Sequence, residues 1–287
     1  MVPIEKYFKN QIGYLRRELG MMTSRGCPFK CSFCSNPVWN HIVRMRSPIN
    51  VVDEMEYLYK KYRVQGIFFF DDTFNLQPKW VDELCDEIIK RGLHKKLVWR
   101  AVCRVNKNLV SLDLFSKMKE AGCWMLSFGV ESGNQYVLDI NKKGITLDEA
   151  RNAVQTAKKI GLKTGAFFMI GNIGENTDTI NDTINFAIEL QPHFCQFNIA
   201  TPYPGSELFN IVMKDKDIKE IDWSVYNQRT PIFDVGNLKT RQLRRHLTKA
   251  YRRYYLRPKY IINQLYENIA APIKLLAGVK KIYRNLF

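Results

Sequence analysis

Nowhere in the 287 residues do roughly eighteen apolar residues run uninterrupted, so a membrane-spanning helix is not expected. The opening stretch MVPIEKYFKNQIGYLRREL mixes charge with isolated apolar residues and lacks the apolar core of a signal peptide. A cytoplasmic protein is therefore expected. Cysteine is scarce, seven residues in all, which excludes a dense disulfide framework; in a reducing compartment a tight group of cysteines signals metal binding or redox chemistry. Acid is nearly absent from the C-terminal end, where residues 239–287 carry thirteen Lys and Arg against one acid, so most of the net charge of +16 belongs to that tail. What is present, 46% hydrophobic and 25% charged residues, excludes disorder of the whole chain and suffices for one large α/β domain or two small ones.

From Leu19 onward short apolar runs alternate with amphipathic ones. GMMTS, GIFFF, LVWRAVC, WMLSFGV, TGAFFMIG and CQFNIA read as strands, and helical patterns lie between them at 49–62, 79–91, 109–121, 146–160 and 178–190. Ser47-Pro48, Pro78 and the pair Thr146 and Glu149 mark helix starts, and Gly92, Gly122 and Gly161 mark stops. Strands apolar on both faces, alternating with helices, predict a parallel sheet covered by helices. No glycine-rich fingerprint follows the first strand, so six such repeats favour a partial (β/α)6 TIM-like barrel of α/β class over a dinucleotide-binding fold. The expected division is a lead-in at 1–18, the barrel at 19–210 and a basic, helical C-terminal extension at 211–287.

Just after the first strand, where such barrels keep their chemistry, stands SRGCPFKCSFCS. A structural zinc site needs four N or S ligands, whereas Cys27, Cys31 and Cys34 supply three, and the nearest histidine is His41. Three thiolates in one short loop instead suit an iron-sulfur cube with one iron left open, and Pro28, Ser32 and Ser35 suit a loop wrapped closely around it. Cys85, Cys103, Cys123 and Cys195 lie on helical or strand patterns and read as buried core thiols.

CPFKCSFC after the first strand of a six-fold β/α repeat resembles the radical S-adenosylmethionine (SAM) enzymes, and the resemblance covers about residues 23–205. It implies that Cys27, Cys31 and Cys34 hold a 4Fe-4S cluster whose open iron is chelated by SAM, and that reduction cleaves SAM to a 5'-deoxyadenosyl radical that abstracts hydrogen from substrate. It implies further roles one by one. Phe33 matches the aromatic near the adenine; Asp71, Asp72 and Thr73 in FFFDDTF stand where the SAM ammonium is received; Glu131 in FGVESG matches the ribose contact. Lys143 holds the place of an arginine that meets the SAM carboxylate, a contact that Arg44 or Arg46 could supply instead. Met169 and Ile170 would pack on the adenine, and Pro202 would begin a wall of the pocket.

RMRSP, AGCWMLSFGVESG, TPYPGSEL and YYLRPKY are most similar to cobalamin-associated radical SAM enzymes. Only 26 residues precede Cys27, too few for a cobalamin domain, so cobalamin is expected only if another chain supplies it, or if this sequence is a fragment. The resemblance implies a small-molecule or lipid-like substrate and an electron donor such as flavodoxin or ferredoxin. The rival reading is a cluster-containing scaffold that reaches RNA or a protein partner through its basic tail. Leu265, Ile269, Ile273, Leu276, Ile282 and Leu286 recur at helical spacing among lysines and arginines. Such a tail could dock on the open barrel or lie peripherally on an anionic membrane face; nucleic acid is not expected, because no RNA-module signature is present. Since every assigned residue lies before Gly205, the segment after Lys239 is expected to be an accessory element.

Overall fold

The apolar runs and the amphipathic segments between them fold in the predicted alternation. The computed structural model describes residues 17–35, 39–214 and 222–268, together with Ile4 and Phe8. In chain order the principal elements are β1 (Glu18–Met21), β2 (Ser24–Arg25), β3 (Arg44–Met45), α1 (Pro48–Tyr62), β4 (Gly66–Phe69), α2 (Pro78–Lys90), β5 (Val98–Cys103), α3 (Leu112–Glu120), β6 (Cys123–Glu131) and α4 (Gln135–Ile140). They continue with α5 (Leu147–Lys159), β7 (Lys163–Ile170), α6 (Thr177–Leu190), β8 (Phe194–Ile199), α7 (Glu207–Val212), α8 (Thr240–Tyr255) and α9 (Pro258–Asn268).

Six strands form one parallel sheet in the order β1-β4-β5-β6-β7-β8, while β2 and β3 pair in a small antiparallel arm. Strand order follows chain order, so each helix carries the chain to the next position in one direction; this is barrel winding, without the reversal of a doubly wound sheet. β1 and β8 do not pair, which leaves a half-barrel of α/β class. All carboxyl ends of the strands point to one mouth.

The helix signals act as read. Ser47 accepts from the Asn50 N–H ahead of Pro48, and Thr146 and Glu149 make a reciprocal capping box. The helix-facing side chains of the sheet form the core: Trp99, Phe69 and Phe74 pack together at centroid distances of 5.0–5.4 Å, and α1 buries Val51, Val52, Met55 and Leu58. The first strand ends earlier than GMMTS suggested. Thr23 and Ser24 leave the sheet because the Asp71 carboxylate collects their N–H and O–H groups.

The basic C-terminal segment divides. From Thr240 to Tyr255 it docks: α8 buries Leu243, Ala250, Tyr251, Tyr254 and Tyr255, and the Tyr254 ring meets Phe197 of β8 at 6.3 Å. The Tyr255 hydroxyl accepts from Cys195 N at 3.0 Å and donates to Cys195 O at 2.5 Å. The Tyr251 hydroxyl does the same for Phe197, at 3.3 and 2.9 Å, and the Ile199 N–H donates to Gln228 O at 2.7 Å. These residues stand in for a seventh strand along the free edge of β8, satisfying groups that would otherwise template association. An accessory role for everything after Lys239 is thereby corrected: α8 is part of the barrel wall. The apolar pattern from Leu265 to Leu286 lies outside the side chains described. Among the described residues no helix is long and apolar enough to cross a membrane.

Candidate functional site

The site grows from the turn that follows β1. Gly26 has φ +89°, and a Cβ there would lie 2.1 Å from the Ile42 carbonyl oxygen, so glycine is required where the chain enters the cysteine loop. Two carboxylates from the end of β4 strap this entry. Asp71 Oδ1 accepts from Thr23 N (3.0 Å), Thr23 Oγ1 (2.7 Å), Ser24 N (2.5 Å) and Ser24 Oγ (2.6 Å), while Asp72 Oδ2 accepts from Gly26 N at 3.1 Å. Burial pushes the Asp71 carboxyl above its ordinary value although the Ser24 and Thr23 donors pull it back down. Its other oxygen, Oδ2, is buried without a hydrogen-bond partner among the described residues.

The loop itself is pinned on both sides. Ser32 N donates to Asn141 O and Ser32 Oγ to Asn141 Oδ1, each at 3.0 Å, and Leu208 N at the start of α7 donates to Ser32 O at 2.8 Å. The cysteines around it present their thiols unequally. Cys27 is buried with its sulfur 3.5 Å from Thr73 Oγ1, Cys31 is half-buried, and Cys34 is exposed. Among the described residues no three His, Cys, Asp or Glu side chains are gathered around a common metal position. The donor set still fits an iron-sulfur cube: three thiols outside any disulfide on one backbone-held loop at the mouth, with a fixed cation beside a sulfur.

That cation, Arg104, escaped the sequence reading. It follows β5, is buried, directs Nη1 at Cys31 Sγ over 3.7 Å, and lies 3.6 Å above the Phe29 ring. Its Nη2 donates to Lys143 O, Nε donates to Asn106 Oδ1, and its backbone is clamped by Asn75. One guanidinium thus joins the cysteine loop to the turn before α5. An arginine at the carboxyl end of a barrel strand, in CRVNK, was the available signal.

The predicted SAM contacts separate into groups. Glu131, Lys143 and Phe33 come together: Lys143 Nζ donates to Glu131 Oε1 at 3.1 Å and stands 6.0 Å from the Phe33 ring centre. Glu131 ends β6 with φ +71°, a backbone region that a non-glycine residue adopts only when its surroundings hold it there. Pro202 is buried in the turn after β8 that leads to the Leu208 contact with the loop. Met169 and Ile170 part company. Phe168 stacks on Phe197 beneath α8, and strand alternation puts Ile170 on that same helix face and Met169 on the inner one. Arg46 is committed to Glu54, Met22 O and Asn50, and Arg44 lies over Trp39.

Glu175, also missed, sits in the turn after β7. Its Oε2 accepts from Gly171 N (2.6 Å) and Asn172 N (3.0 Å), its Oε1 is buried without a partner among the described residues, and burial pushes its carboxyl up to about 7 against those backbone donors. The remaining cysteines are inert: burial pushes the Cys85 thiol up to about 12 and raises Cys103, Cys123 and Cys195 as well.

Comparison with known proteins shows the family and the fold. The model of the Radical SAM superfamily matches residues 21–187. An uncharacterised methyltransferase of Pyrococcus horikoshii is 34% identical over 286 residues, covering 99% of this chain and 60% of the relative. The anaerobic magnesium-protoporphyrin IX monomethyl ester cyclase of Cereibacter sphaeroides is 31% identical over 253 residues, covering 86% of this chain and 41% of the relative. This chain therefore spans only about half the length of such relatives. Among solved structures, the radical S-adenosylmethionine methyltransferase TsrM of Kitasatospora setae, with cobalamin and a [4Fe-4S] cluster bound, superposes with a TM-score of 0.63 at 18% identity, covering 81% of this chain and 44% of that one, a likeness of fold.

Proposed function

The chain belongs to the radical SAM superfamily, and from that premise we propose that Cys27, Cys31 and Cys34 hold its 4Fe-4S cluster and that the enzyme abstracts hydrogen from a small or lipid-like metabolite. The carrying observation is the loop Gly26–Ser35, strapped at its entry by Asp71 and Asp72, pinned at Ser32 and backed by Arg104, with its most exposed thiol at the barrel mouth. When bound, the cluster supplies one electron to SAM so that a sulfonium carbon–sulfur bond breaks homolytically.

The chain's own residues bind and orient. Glu131, set by its backbone at the end of β6, accepts hydrogen bonds from the ribose, and its charge is balanced by Lys143. Lys143 offers its ammonium to the SAM carboxylate as a point charge. Phe33 and Met169 provide apolar contact for the adenine, and Pro202 closes a wall. Asp71 frames the loop and leaves amine recognition to Asp72, Thr73 and nearby backbone oxygens. Arg104 donates to the Cys31 sulfur, which withdraws charge from the cluster and favours its reduced form. A donor such as flavodoxin or ferredoxin delivers the electron.

A second reading, the radical SAM half of a cobalamin-dependent methyltransferase, is supported by the TsrM fold and by the partial coverage of the relatives. Cobalamin would then come from another chain or from sequence beyond this one. Anaerobic reconstitution with iron, sulfide, SAM and dithionite tests both readings. Release of 5'-deoxyadenosine supports the radical enzyme; S-adenosylhomocysteine formed only with added hydroxocobalamin, reduced to cob(I)alamin so that it accepts the methyl group of SAM, supports the second reading; neither product leaves the scaffold. Cys31→Ala should abolish the visible absorption of the cluster and all SAM cleavage, and Cys195→Ala should preserve both.

A further inference from the structure

At the end of the sheet opposite the cysteine loop, the last turn of α5, the starts of β7 and β8 and the junction of α8 with α9 enclose a cavity of about 420 Å³. Lys158, Lys163, Arg257 and Lys259 line it beside His193, and among the described residues no carboxylate does. Several cations elsewhere on the surface are paired. Lys60, Arg91, Lys117, Lys142 and Arg151 each sit within 2.5–2.8 Å of an Asp or Glu oxygen. Lys158, Arg257 and Lys259 have no carboxylate partner among the described residues.

Two of these cations are held in place by backbone. Lys158 Nζ donates to Leu190 O at 2.7 Å, while Arg257 donates from Nε to Tyr254 O at 2.8 Å and from Nη1 to Ile188 O at 3.2 Å, with its guanidinium 4.3 Å over the Tyr254 ring. Arg257 Nη2 and the Lys259 ammonium have no protein partner among the described residues. Burial, and then the nearby charges of Lys259 and Arg257, hold the Lys158 ammonium below the usual lysine value, so the groups repel one another in a partly dry hollow. Fixed cations that repel across an enclosed space are stabilised by an anion bearing more than one charge, and a planar guanidinium matches two oxygens of one phosphate.

We propose that this cavity is a binding site for a phosphate group, carried by a phospholipid headgroup or by a soluble phosphorylated molecule. It is separate from the radical site: Lys163 and His193 stand at the amino ends of β7 and β8, whereas the cysteine loop and Glu131 stand at carboxyl ends. The volume exceeds that of a bare phosphate and leaves room for an organic substituent.

The test uses the full chain and four proteins: wild type, Lys259→Gln, Lys158→Gln/Lys259→Gln, and a control of equal charge, Arg244→Gln/Arg245→Gln, which alters exposed residues of α8. Calorimetric titration with inorganic phosphate at constant ionic strength should show binding by wild type and by the control, weakened about tenfold in the double cavity variant. Lys259→Gln, which removes an ammonium without a hydrogen-bond or ion-pair partner among the described residues, should weaken it in the same direction and keeps the result readable if the double variant misfolds. Co-flotation with phosphatidylcholine vesicles doped with phosphatidylglycerol separates the sources. Flotation lost in the cavity variants and kept in the control assigns the headgroup; phosphate binding lost while flotation is unchanged assigns a soluble ligand. Equal losses in the cavity and control variants, or no phosphate binding by wild type, overturn the proposal.

Discussion

Along the edge of β8, alternate residues find protein partners for their outward backbone groups: Cys195 meets Tyr255, Phe197 meets Tyr251, and the Ile199 N–H meets Gln228. At the mouth of the same sheet the accounting is incomplete. Asp71 Oδ2, Glu175 Oε1 and Asn172 Oδ1 are buried without partners among the described residues, Glu131 is held at φ +71°, and Cys34 is exposed. A saturated strand edge adds stability and keeps no backbone group free along it. An unsaturated mouth lowers stability locally and retains donors, acceptors and thiols for a cofactor, which is the usual distribution of strain between scaffold and site.

The sharpest way to break this comparison is to remove the flank. Truncation after Lys239 deletes α8, bares the β8 edge and uncovers Phe168 and Phe197, a loss larger than the roughly 5–15 kcal/mol that holds a typical domain together. The truncated chain should show no cooperative urea transition; a soluble product with the wild-type midpoint would mean that the tyrosines do not support the sheet.

Glu175 tests the mouth. Its carboxyl rises from an ordinary 4.5 to about 7, so below 4.5 both folded and unfolded chains hold the proton and its contribution to stability is complete. Between about pH 4.5 and 7 the unfolded chain has released a proton that the folded chain retains, so stability should fall by about 3 kcal/mol over that window and level off above 7. Urea midpoints measured from about pH 5 to pH 8 should decline in the wild type and be flatter in Glu175→Gln. Parallel curves for the two proteins would remove Glu175 as the source.

A smaller effect is expected at one point of the flank. Tyr255→Phe leaves the Cys195 N–H and C=O buried and unpaired, at a cost of about 2 kcal/mol in unfolding free energy. Cluster content after reconstitution should be unchanged, because the flank and the mouth share no ligand. Smallest of all, Glu131→Gln should weaken SAM binding by about 1 kcal/mol, measured by anaerobic equilibrium dialysis, with iron content and urea midpoint close to wild type. An unaltered affinity would move the ribose contact away from the end of β6.

Local chemistry carried much of this structure into view early. Helix starts at Ser47, Pro78 and Thr146, stops at Gly92, Gly122 and Gly161, six strands in order and three thiols in eight residues all depend on neighbours within about one helical turn, and such signals survive in a linear text. α4, α7 and the β2–β3 arm were not read, being too short to show a period.

The sequence by itself therefore determined a half-barrel with a cysteine loop at its mouth, because periodicity and caps act between near neighbours. Only the tertiary structure decided what surrounds that loop. Asp71 reaches back 48 residues to Thr23, Ser32 reaches forward 109 to Asn141, Arg104 meets Cys31 across 73, and Tyr255 meets Cys195 across 60. Each of these depends on which strand lies beside which and on which face a side chain emerges. Met169 and Ile170 are adjacent in the chain, and the pleat alone sends one to the interior and the other to the helices.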